Sequence, residues 1–320
     1  MLGQPISPTS NTSSMQFEEP LKSTRRRAST FGFASPPPRS VSKLSCQLTT
    51  DTFKSLGKYY NNGKDIDEVF FDGALEKLAP LNFGRFLDLH GIQEKFRAKM
   101  IDWMFEVLTI YQQRDSTIFK SIFLMDMYYS NKREPVPLNE LHLLGIVCMM
   151  IASKSEEVKY IKLDAFINTI GRGKFSKEVI LAKEVKVLST INFRTSFTTI
   201  YELMRCAFRN LDVKDSRALF EKSALLLAKM CLCSYEIVSS LSIKEIALSC
   251  IIISLKLSEK LANFGTSDWI KKTLIMFEMT ESPVISNKIQ MVHKFVMDFS
   301  NIMPYVKNIE SFEDFMDCEM

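Results

Sequence analysis

The stretch LNELHLLGIVCMMIASKS, residues 138–155, predicts a helix that is apolar on almost every side. A helix of this kind lies at the centre of a bundle, because each of its faces needs apolar neighbours. Part of it, CMMIASK at 148–154, is echoed by CIIISLK at 250–256. Since each copy falls in the long apolar helix of its half of the chain, we expect an internal repeat. The sequence therefore predicts an all-α protein made of two tandem five-helix folds.

The other helices follow from the 3.6-residue spacing of apolar residues on either side of these two stretches. We expect a leading helix and the first fold within residues 65–207, and the second fold within residues 208–303. The acidic tail, 304–320, is expected to be loosely structured in its last part, from residue 308. The predicted helices cover 95–113, 116–130, 138–155, 162–170 and 176–191 in the first half, and 216–231, 237–241, 243–261, 267–277 and 284–303 in the second.

The first 64 residues form a tail rich in Ser, Thr and Pro, which we expect to be disordered because it has too few apolar residues to build a core. Within it, Ser29 follows Arg26-Arg27-Ala28, a typical site for a basic-directed kinase. Ser7 and Ser35 each precede a proline and suit proline-directed kinases. These three serines are candidate phosphorylation sites, although such matches also arise by chance in Ser-rich tails.

The amino-acid composition argues against several classes of protein. Eleven Gly and eleven Pro in 320 residues are few, which favours helices over strands and turns. A net charge of +4 is too small to indicate nucleic-acid binding, and the apolar runs are too short to span a membrane. The polar N-terminus is not that of a secretory signal. We therefore expect a protein of the nucleus or the cytoplasm, without nucleic-acid or membrane partners.

The sequence contains none of the residue patterns that are typical of metal sites or catalytic sites. Seven Cys lack the C-x-x-C spacing of zinc sites, and three isolated His complete no metal set. We find no Gly-rich phosphate loop and no His-based catalytic pair. The sequence therefore predicts no metal, no cofactor and no enzymatic activity, and it indicates reduced thiols.

Four charged residues lie on or beside apolar stripes of predicted helices: Arg97, Asp126, Lys154 and Glu184. Burying a charge without a partner costs several kcal/mol, so such residues pair or meet a partner. Arg97 and Asp126 lie on the first two helices of one bundle, which favours an internal ion pair. For Lys154 and Glu184 the pattern leaves two readings open, a salt bridge to each other or a site for another molecule.

These charges belong to a longer pattern. FRAKMIDW at 96–103 precedes Asp126, and then come Leu143, IASKSEE at 151–157, and Glu184. In order and in helix position, these residues resemble the cyclin box. The chain resembles A- and B-type cyclins over about residues 85–211, and more weakly over the second fold.

The resemblance implies a role for each pair of charges. Arg97 and Asp126 would form the salt bridge that ties the first helix of the box to the second. Lys154 and Glu184 would stay open to grip a cyclin-dependent kinase, the lysine donating to backbone carbonyls and the glutamate accepting from backbone amides. The family implies a regulatory subunit that binds and activates this Ser/Thr kinase in cell-cycle control, so that the kinase acts on protein substrates.

Two residues next to the pair bear on how the kinase would be held. Phe193 matches an apolar contact position of the family. Ser155 stands where many cyclins have an aromatic residue that packs on the kinase, so we expect kinase affinity or kinase choice to differ.

The resemblance also implies a substrate-docking patch, although its residues match the family pattern less well than the kinase-binding residues do. Lys99 replaces an aliphatic residue of the family pattern and His142 replaces a glutamine, and a lysine there would repel the basic residue of the usual docking peptides. The alternative is that Phe96 and Met100 simply belong to the core. The residues at the patch positions are Phe96, Lys99, Met100, Trp103, Leu141 and His142.

Another function uses the same fold. A factor of the transcription-factor-IIB type binds DNA through two cyclin-like folds, and a transcriptional cyclin is a related possibility. The former would need an N-terminal zinc ribbon with four cysteine ligands, and the tail contains a single cysteine, Cys46. Near-balanced charge also argues against a DNA-binding surface.

Overall fold

The computed structural model describes residues 66–77, 83–211, 217–262 and 267–319, and every secondary-structure element in these ranges is a helix. They all belong to one compact unit, Leu48–Met320. The predicted all-α class is therefore confirmed. The predicted disorder of residues 1–64, with Ser7, Ser29 and Ser35, lies outside the described residues. None of the described helices has the length and apolar character needed to cross a membrane.

The helices are numbered in chain order. Two short 3₁₀ helices, Asp88–His90 and Leu138–Glu140, precede α2 and α4, and a π-helical turn, Phe166–Ile170, continues α5. The α-helices are α1 Ile66–Glu76, α2 Glu94–Ile110, α3 Asp115–Asn131, α4 Leu141–Glu156, α5 Leu163–Ala165, α6 Lys177–Thr190, α7 Ile200–Asn210, α8 Arg217–Cys233, α9 Tyr235–Ser240, α10 Ile243–Ala262, α11 Ser267–Met276, α12 Pro283–Met297, α13 Phe299–Ile302 and α14 Phe312–Glu319.

The helix α4 is the centre of the first bundle, as its sequence predicts. It packs on α2, α3 and α6, and its residues from Leu144 to Ser153 are all buried. The approach of α2 is close at Gly145, where an added Cβ would lie 2.6 Å from the sulfur of Met100. A side chain at position 145 would therefore have to displace the side chain of Met100.

The second bundle is arranged around α10, the other long apolar helix. It packs on α8, α11 and α12, and also on α7. None of the helices predicted from the sequence corresponds to α7. A capping box starts this helix, in which Thr199 accepts from the backbone N–H of Glu202 and the Glu202 carboxylate accepts from the backbone N–H of Thr199. Because α7 contacts α1 and α3 as well as α8, it joins the two bundles.

Two predictions about the C-terminal part of the chain are wrong. The helix expected over 284–303 ends at Met297, and α13 follows it after Asp298. The tail expected to be loose from residue 308 contains the helix α14, which packs on α8 and α12. The reason is an apolar repeat every third residue that the acidic composition conceals. Its members are all buried: Val306, Ile309, Phe312 and Phe315.

The tail is also bound by polar contacts to the first bundle. One carboxylate oxygen of Asp102 on α2 accepts from the backbone N–H groups of Lys307, at 2.9 Å, and Asn308, at 2.7 Å. The other oxygen accepts from the side-chain amide of Asn308 at 3.0 Å. Asp102 is buried, so these bonds satisfy a carboxylate that water does not reach.

The structure joins Arg97 and Asp126 in a buried two-point contact. Arg97 is 1% exposed; its Nε donates to Oδ1 of Asp126 at 2.8 Å, and its Nη2 donates to Oδ2 at 2.5 Å. The remaining nitrogen, Nη1, donates to the backbone carbonyl of Leu232 at 2.8 Å. This carbonyl is in the last turn of α8, where helical carbonyls lack partners within the helix. One guanidinium therefore connects α2, α3 and α8.

We predict that Asp126→Ala lowers the free energy of unfolding by about 3–5 kcal/mol, because it leaves the buried guanidinium without its counter-charge. Urea unfolding followed by circular dichroism measures the change. The double variant Arg97→Met/Asp126→Leu should lose less than the sum of the two single changes, since no unpaired charge remains. The control is Lys244→Ala, which breaks an exposed ion pair with Glu278 and should cost less than about 1 kcal/mol. Equal losses in Asp126→Ala and the control would contradict this role.

Candidate functional site

The second pair of charges lies at one end of the first bundle. Lys154 is in the last turn of α4, Glu184 is in the middle of α6, and Nζ of the lysine is 2.7 Å from Oε1 of the glutamate. We expected both to stay open for a partner, and in the chain alone they instead pair with each other. The physical reason is that α4 and α6 pack side by side, which brings the opposite charges within reach.

The pairing of Lys154 with Glu184 leaves further hydrogen-bond donors and acceptors on both side chains available. The side chain of Lys154 is 40% exposed and that of Glu184 is 15% exposed, so solvent reaches the pair. An ammonium has three N–H donors and a carboxylate accepts in about four directions, whereas this pair uses one of each. A second molecule that offers a carbonyl and an amide can therefore form charge-assisted hydrogen bonds to both groups.

The residues that flank Lys154 hold the end of α4 in place. Ser153 is buried; its hydroxyl donates to Oε1 of Gln113 at 2.6 Å and accepts from the backbone N–H of Ile161 at 2.9 Å. The carboxylate of Glu156 pairs with Lys120 on α3. Because its neighbours on both sides are engaged, Lys154 projects from a fixed backbone.

Glu157, just after α4, is bound to the start of α3. Its Oε1 accepts from the backbone N–H of Arg114 at 2.8 Å and from the hydroxyl of Thr117 at 2.6 Å. Burial alone would raise the pKa of this carboxyl, but the hydrogen bonds from Thr117 and Arg114 outweigh it and hold the pKa below its usual value. An ionised Glu157 therefore joins the C-terminal end of α4 to the N-terminal end of α3.

Lys183 fixes α6, and its role was missed by the sequence analysis. It is buried, and its Nζ donates to Oε2 of Glu140 at 2.5 Å and to the hydroxyl of Tyr128 at 3.1 Å. The ammonium also lies 4.7 Å from the centre of the Tyr128 ring. The sequence could have indicated this role, because Lys183 lies between Ile180 and Val187 on the apolar stripe of α6. Because Lys183 directly precedes Glu184, its anchoring sets the direction of the glutamate.

An exposed aromatic residue follows α6. Phe193 is 67% exposed, and its backbone φ of +56° lies in the left-handed region, as does that of Asn192 before it. Such a backbone costs on the order of 1–3 kcal/mol for a residue other than glycine, and it is typical of functional sites. The exposed phenyl ring also lacks the apolar neighbours that usually cover a side chain of its size.

The surface between Phe193 and the ion pair is partly apolar. Leu181, Glu184, Val185 and Leu188 recur along α6 at the spacing that places residues on one helix face, and none of them is fully buried. Ser155, next to Lys154, is exposed, and its hydroxyl donates to the carbonyl of Ala152 at 3.1 Å. We call this area the α4–α6 surface: Lys154, Ser155, Leu181, Glu184, Val185, Leu188 and Phe193.

The residues of the weaker docking patch separate into two groups. Met100 and Leu141 are buried, so they belong to the core. Trp103 and His142 are partly buried, and their ring centres are 4.9 Å apart. The other two positions, Phe96 and Lys99, are partly buried and lie on α2, where the ammonium of Lys99 is 6.0 Å from the ring centre of Tyr305.

Comparisons with known proteins relate part of this chain to cyclins. Residues 79–196 match the family model "Cyclin, N-terminal domain". The chain is 32% identical to Cyclin-A2-1 of Arabidopsis thaliana over 134 residues, which are 42% of this chain and 30% of that protein. It is 31% identical to Cyclin-B1-1 of Oryza sativa subsp. japonica over 159 residues, 49% of this chain and 34% of that protein. The matched segments thus span about a third of the length of these relatives.

A solved structure shares the fold. The viral cyclin from herpesvirus saimiri superposes with a TM-score of 0.58 at 15% sequence identity, over 77% of this chain and all of that chain. The match extends well beyond residues 79–196, so it includes helices of the second bundle.

A fall in pH tests whether the ion pair between Lys183 and Glu140 stabilises α6. The hydrogen bond from Lys183 holds the pKa of Glu140 below its usual value. We predict that Glu140→Gln lowers the free energy of unfolding at pH 7 by about 1–3 kcal/mol, because the buried ammonium loses its charged acceptor. In the wild type this stabilisation is complete above the unfolded pKa of about 4.3 and is lost as the pH falls through the lower folded pKa.

The difference in stability between wild type and Glu140→Gln should therefore shrink toward zero as the pH falls from 7 to 3. Urea unfolding at a series of pH values measures it. A difference that stays constant over this range would show that the Glu140 carboxylate does not stabilise α6 through its charge.

Proposed function

Because residues 79–196 match the family model "Cyclin, N-terminal domain", we propose that this chain is a cyclin that binds and activates a cyclin-dependent Ser/Thr kinase in cell-cycle control. One observation carries the proposal. The α4–α6 surface presents a fixed donor and a fixed acceptor, Lys154 and Glu184, 2.7 Å apart and open to solvent. The A- and B-type names of the matched plant cyclins, and the name "G2/mitotic-specific cyclin-2" of a Medicago sativa relative, support the cell-cycle assignment.

The polar part of the contact is an exchange of hydrogen bonds. A backbone carbonyl of the kinase approaches an unused N–H of Lys154, and a backbone amide approaches an unused lone pair of Glu184. Bonds to charged groups contribute about 1.5–3 kcal/mol each. Since Lys183 and Ser153 already hold the two helices in place, little conformational entropy is lost when the kinase binds.

The apolar part of the contact comes from α6 and the turn after it. Val185 and Phe193 are largely exposed in the chain alone, and Leu181 is partly buried. Covering a side chain such as Phe193 contributes about 1.5–3 kcal/mol. Ser155 contributes no apolar area, so Phe193 and Val185 carry this part of the interface.

The consequence for the kinase is conformational. A helix of the kinase that packs on the α4–α6 surface is held in the orientation that assembles the kinase's own catalytic Lys–Glu pair. The chain itself supplies no catalytic group and acts as a regulatory subunit of a heterodimer. The kinase then phosphorylates protein substrates.

The state of the cysteines supports a reducing compartment, and we place the protein in the nucleus or the cytoplasm. Five described cysteines are free thiols, and the sulfur atoms of Cys231 and Cys250 are 3.9 Å apart without a bond between them. Buried free thiols are typical of proteins that work where disulfides do not form.

We expect Lys154→Ala and Glu184→Ala each to weaken binding to the cognate cyclin-dependent kinase by tenfold or more, since each removes a charge-assisted hydrogen bond. Calorimetry measures the affinity, and phosphorylation of a peptide substrate measures activation. The matched controls are Lys244→Ala and Glu278→Ala, which remove an ion pair of the second bundle. Wild-type affinity and activation in both site variants would show that the kinase binds elsewhere.

Phe193→Gly is a second variant for the same experiment, because it separates stability from binding. Glycine adopts the left-handed backbone at position 193 without strain, so the melting temperature should not fall. Kinase affinity should fall about tenfold, because the exposed ring is lost. Unchanged affinity with unchanged stability would exclude Phe193 from the interface.

A further inference from the structure

A serine followed by a proline lies at the start of α12, in the second bundle. Ser282-Pro283 is the sole Ser-Pro or Thr-Pro pair among the residues that the structure describes. Proline-directed kinases recognise this pair, because a proline has a fixed φ and no backbone N–H. Ser176, Thr199 and Ser234 also cap helices with their side chains, but none of them is followed by a proline.

The chain before Ser282 leaves α11 through a closed turn. Glu278 has φ of +51°, and its backbone N–H donates to the carbonyl of Ile275 at 2.9 Å. A left-handed residue in this place ends a helix and satisfies its last carbonyls. Residues 279–282 then cross to α12 without helix or strand structure, so the end of α11 does not depend on how they are arranged.

The backbone at Ser282 already has a conformation that suits a kinase substrate. Its φ of −149° and ψ of 156° are extended, and protein kinases bind the residues around the acceptor hydroxyl in extended form. Only the first turn of α12 has to open in the kinase cleft, and helix ends fray readily. The side chain of Ser282 is partly buried, and the two residues on either side of it are exposed: Thr280, Glu281, Pro283 and Val284.

The cap of α12 can accommodate a phosphate. The hydroxyl of Ser282 accepts from the backbone N–H of Ile285 at 3.3 Å, a bond that uses a lone pair and leaves the hydroxyl proton free to be removed. A phosphate on this oxygen would place three further acceptors at the positive end of the helix dipole, beside the N–H groups of Val284 and Ile285. The carboxylate of Glu281 is exposed, so solvent screens its repulsion of the phosphate.

We propose that Ser282 is a phosphorylation site for a proline-directed Ser/Thr kinase and that the phosphate takes over the capping of α12. The bond from the γ-phosphorus of ATP to the bridging oxygen breaks, a bond from phosphorus to Oγ forms, and ADP leaves. The hydroxyl proton passes to the catalytic carboxylate of the kinase. Because α12 packs on the central helix α10, a stronger cap stabilises the second bundle. The chain is here a substrate, so the proposal does not rest on the α4–α6 surface.

Phosphorylation of the full chain tests the site. The probe is a proline-directed kinase of the mitogen-activated class, which needs no cyclin, with Mg²⁺ and ATP; its activity is first verified on a standard Ser-Pro peptide. Mass spectrometry of proteolytic peptides should find phosphate on Ser282 in the wild type and at least tenfold less in Pro283→Ala. The matched control Ser286→Ala removes an exposed serine one turn later and should change nothing. Absence of phosphate from Ser282, or equal phosphorylation of Pro283→Ala, would overturn the proposal.

Thermal unfolding tests the cap, in a Ser7→Ala/Ser35→Ala background that removes the other Ser-Pro serines. Phosphorylation should raise the melting temperature by about 1–4 °C. Ser282→Asn keeps a good capping residue without the acceptor hydroxyl, so it should melt like the unmodified chain and show no shift after kinase treatment. A melting temperature that stays the same or falls when Ser282 is phosphorylated would show that the phosphate does not cap α12.

Discussion

The buried guanidinium of Arg97 fixes α2, α3 and α8 relative to one another, and with them the junction of the two bundles. Arg97 is 1% exposed, and its guanidinium uses all three nitrogens to bind the carboxylate of Asp126 and the carbonyl of Leu232. One turn earlier on α2, Glu94 accepts from the backbone N–H of Tyr235 at the start of α9, at 2.6 Å. The helix α2 is therefore bound to both bundles, and its buried guanidinium cannot lose the carboxylate of Asp126 without leaving an unpaired buried charge.

The contacts of Arg97 also influence the surface of the first bundle. Because α2 and α3 are held together, α4 lies between fixed neighbours, and the carboxylates of Glu156 and Glu157 attach its last turn to α3. Lys154 and Glu184 consequently meet on a rigid frame. The turn at Phe193 and the loop at Arg172 are among the places where a residue other than glycine has a left-handed backbone, together with Gln112 and Glu278. The fold thus combines a rigid polar pair with exposed side chains whose conformations cost free energy, the combination expected of a binding surface.

How much of the fold and of the site could be predicted depends on how far apart in the sequence the interacting residues lie. The central helices and the Arg97–Asp126 pair follow from apolar periodicity, since a charge on a buried stripe needs a counter-charge nearby. The helix α7 was predictable from the Thr199–Glu202 capping box, which was overlooked. The bond from Arg97 to the Leu232 carbonyl was not, because 135 residues of chain separate the two groups and a backbone acceptor has no signature in the sequence. The same holds for the tail, where the partner of Asp102 is a pair of backbone amides.

We propose that a cyclin-dependent kinase binds the α4–α6 surface, whose helices the buried Arg97 network holds in place. Hydrogen–deuterium exchange of the full chain, with and without the kinase, measures whether this surface becomes protected. We expect slower exchange in peptides covering 153–161 and 181–194 when the kinase is bound, with unchanged exchange across α11 and α12. Protection confined to the second bundle, or no protection in the first, would contradict it.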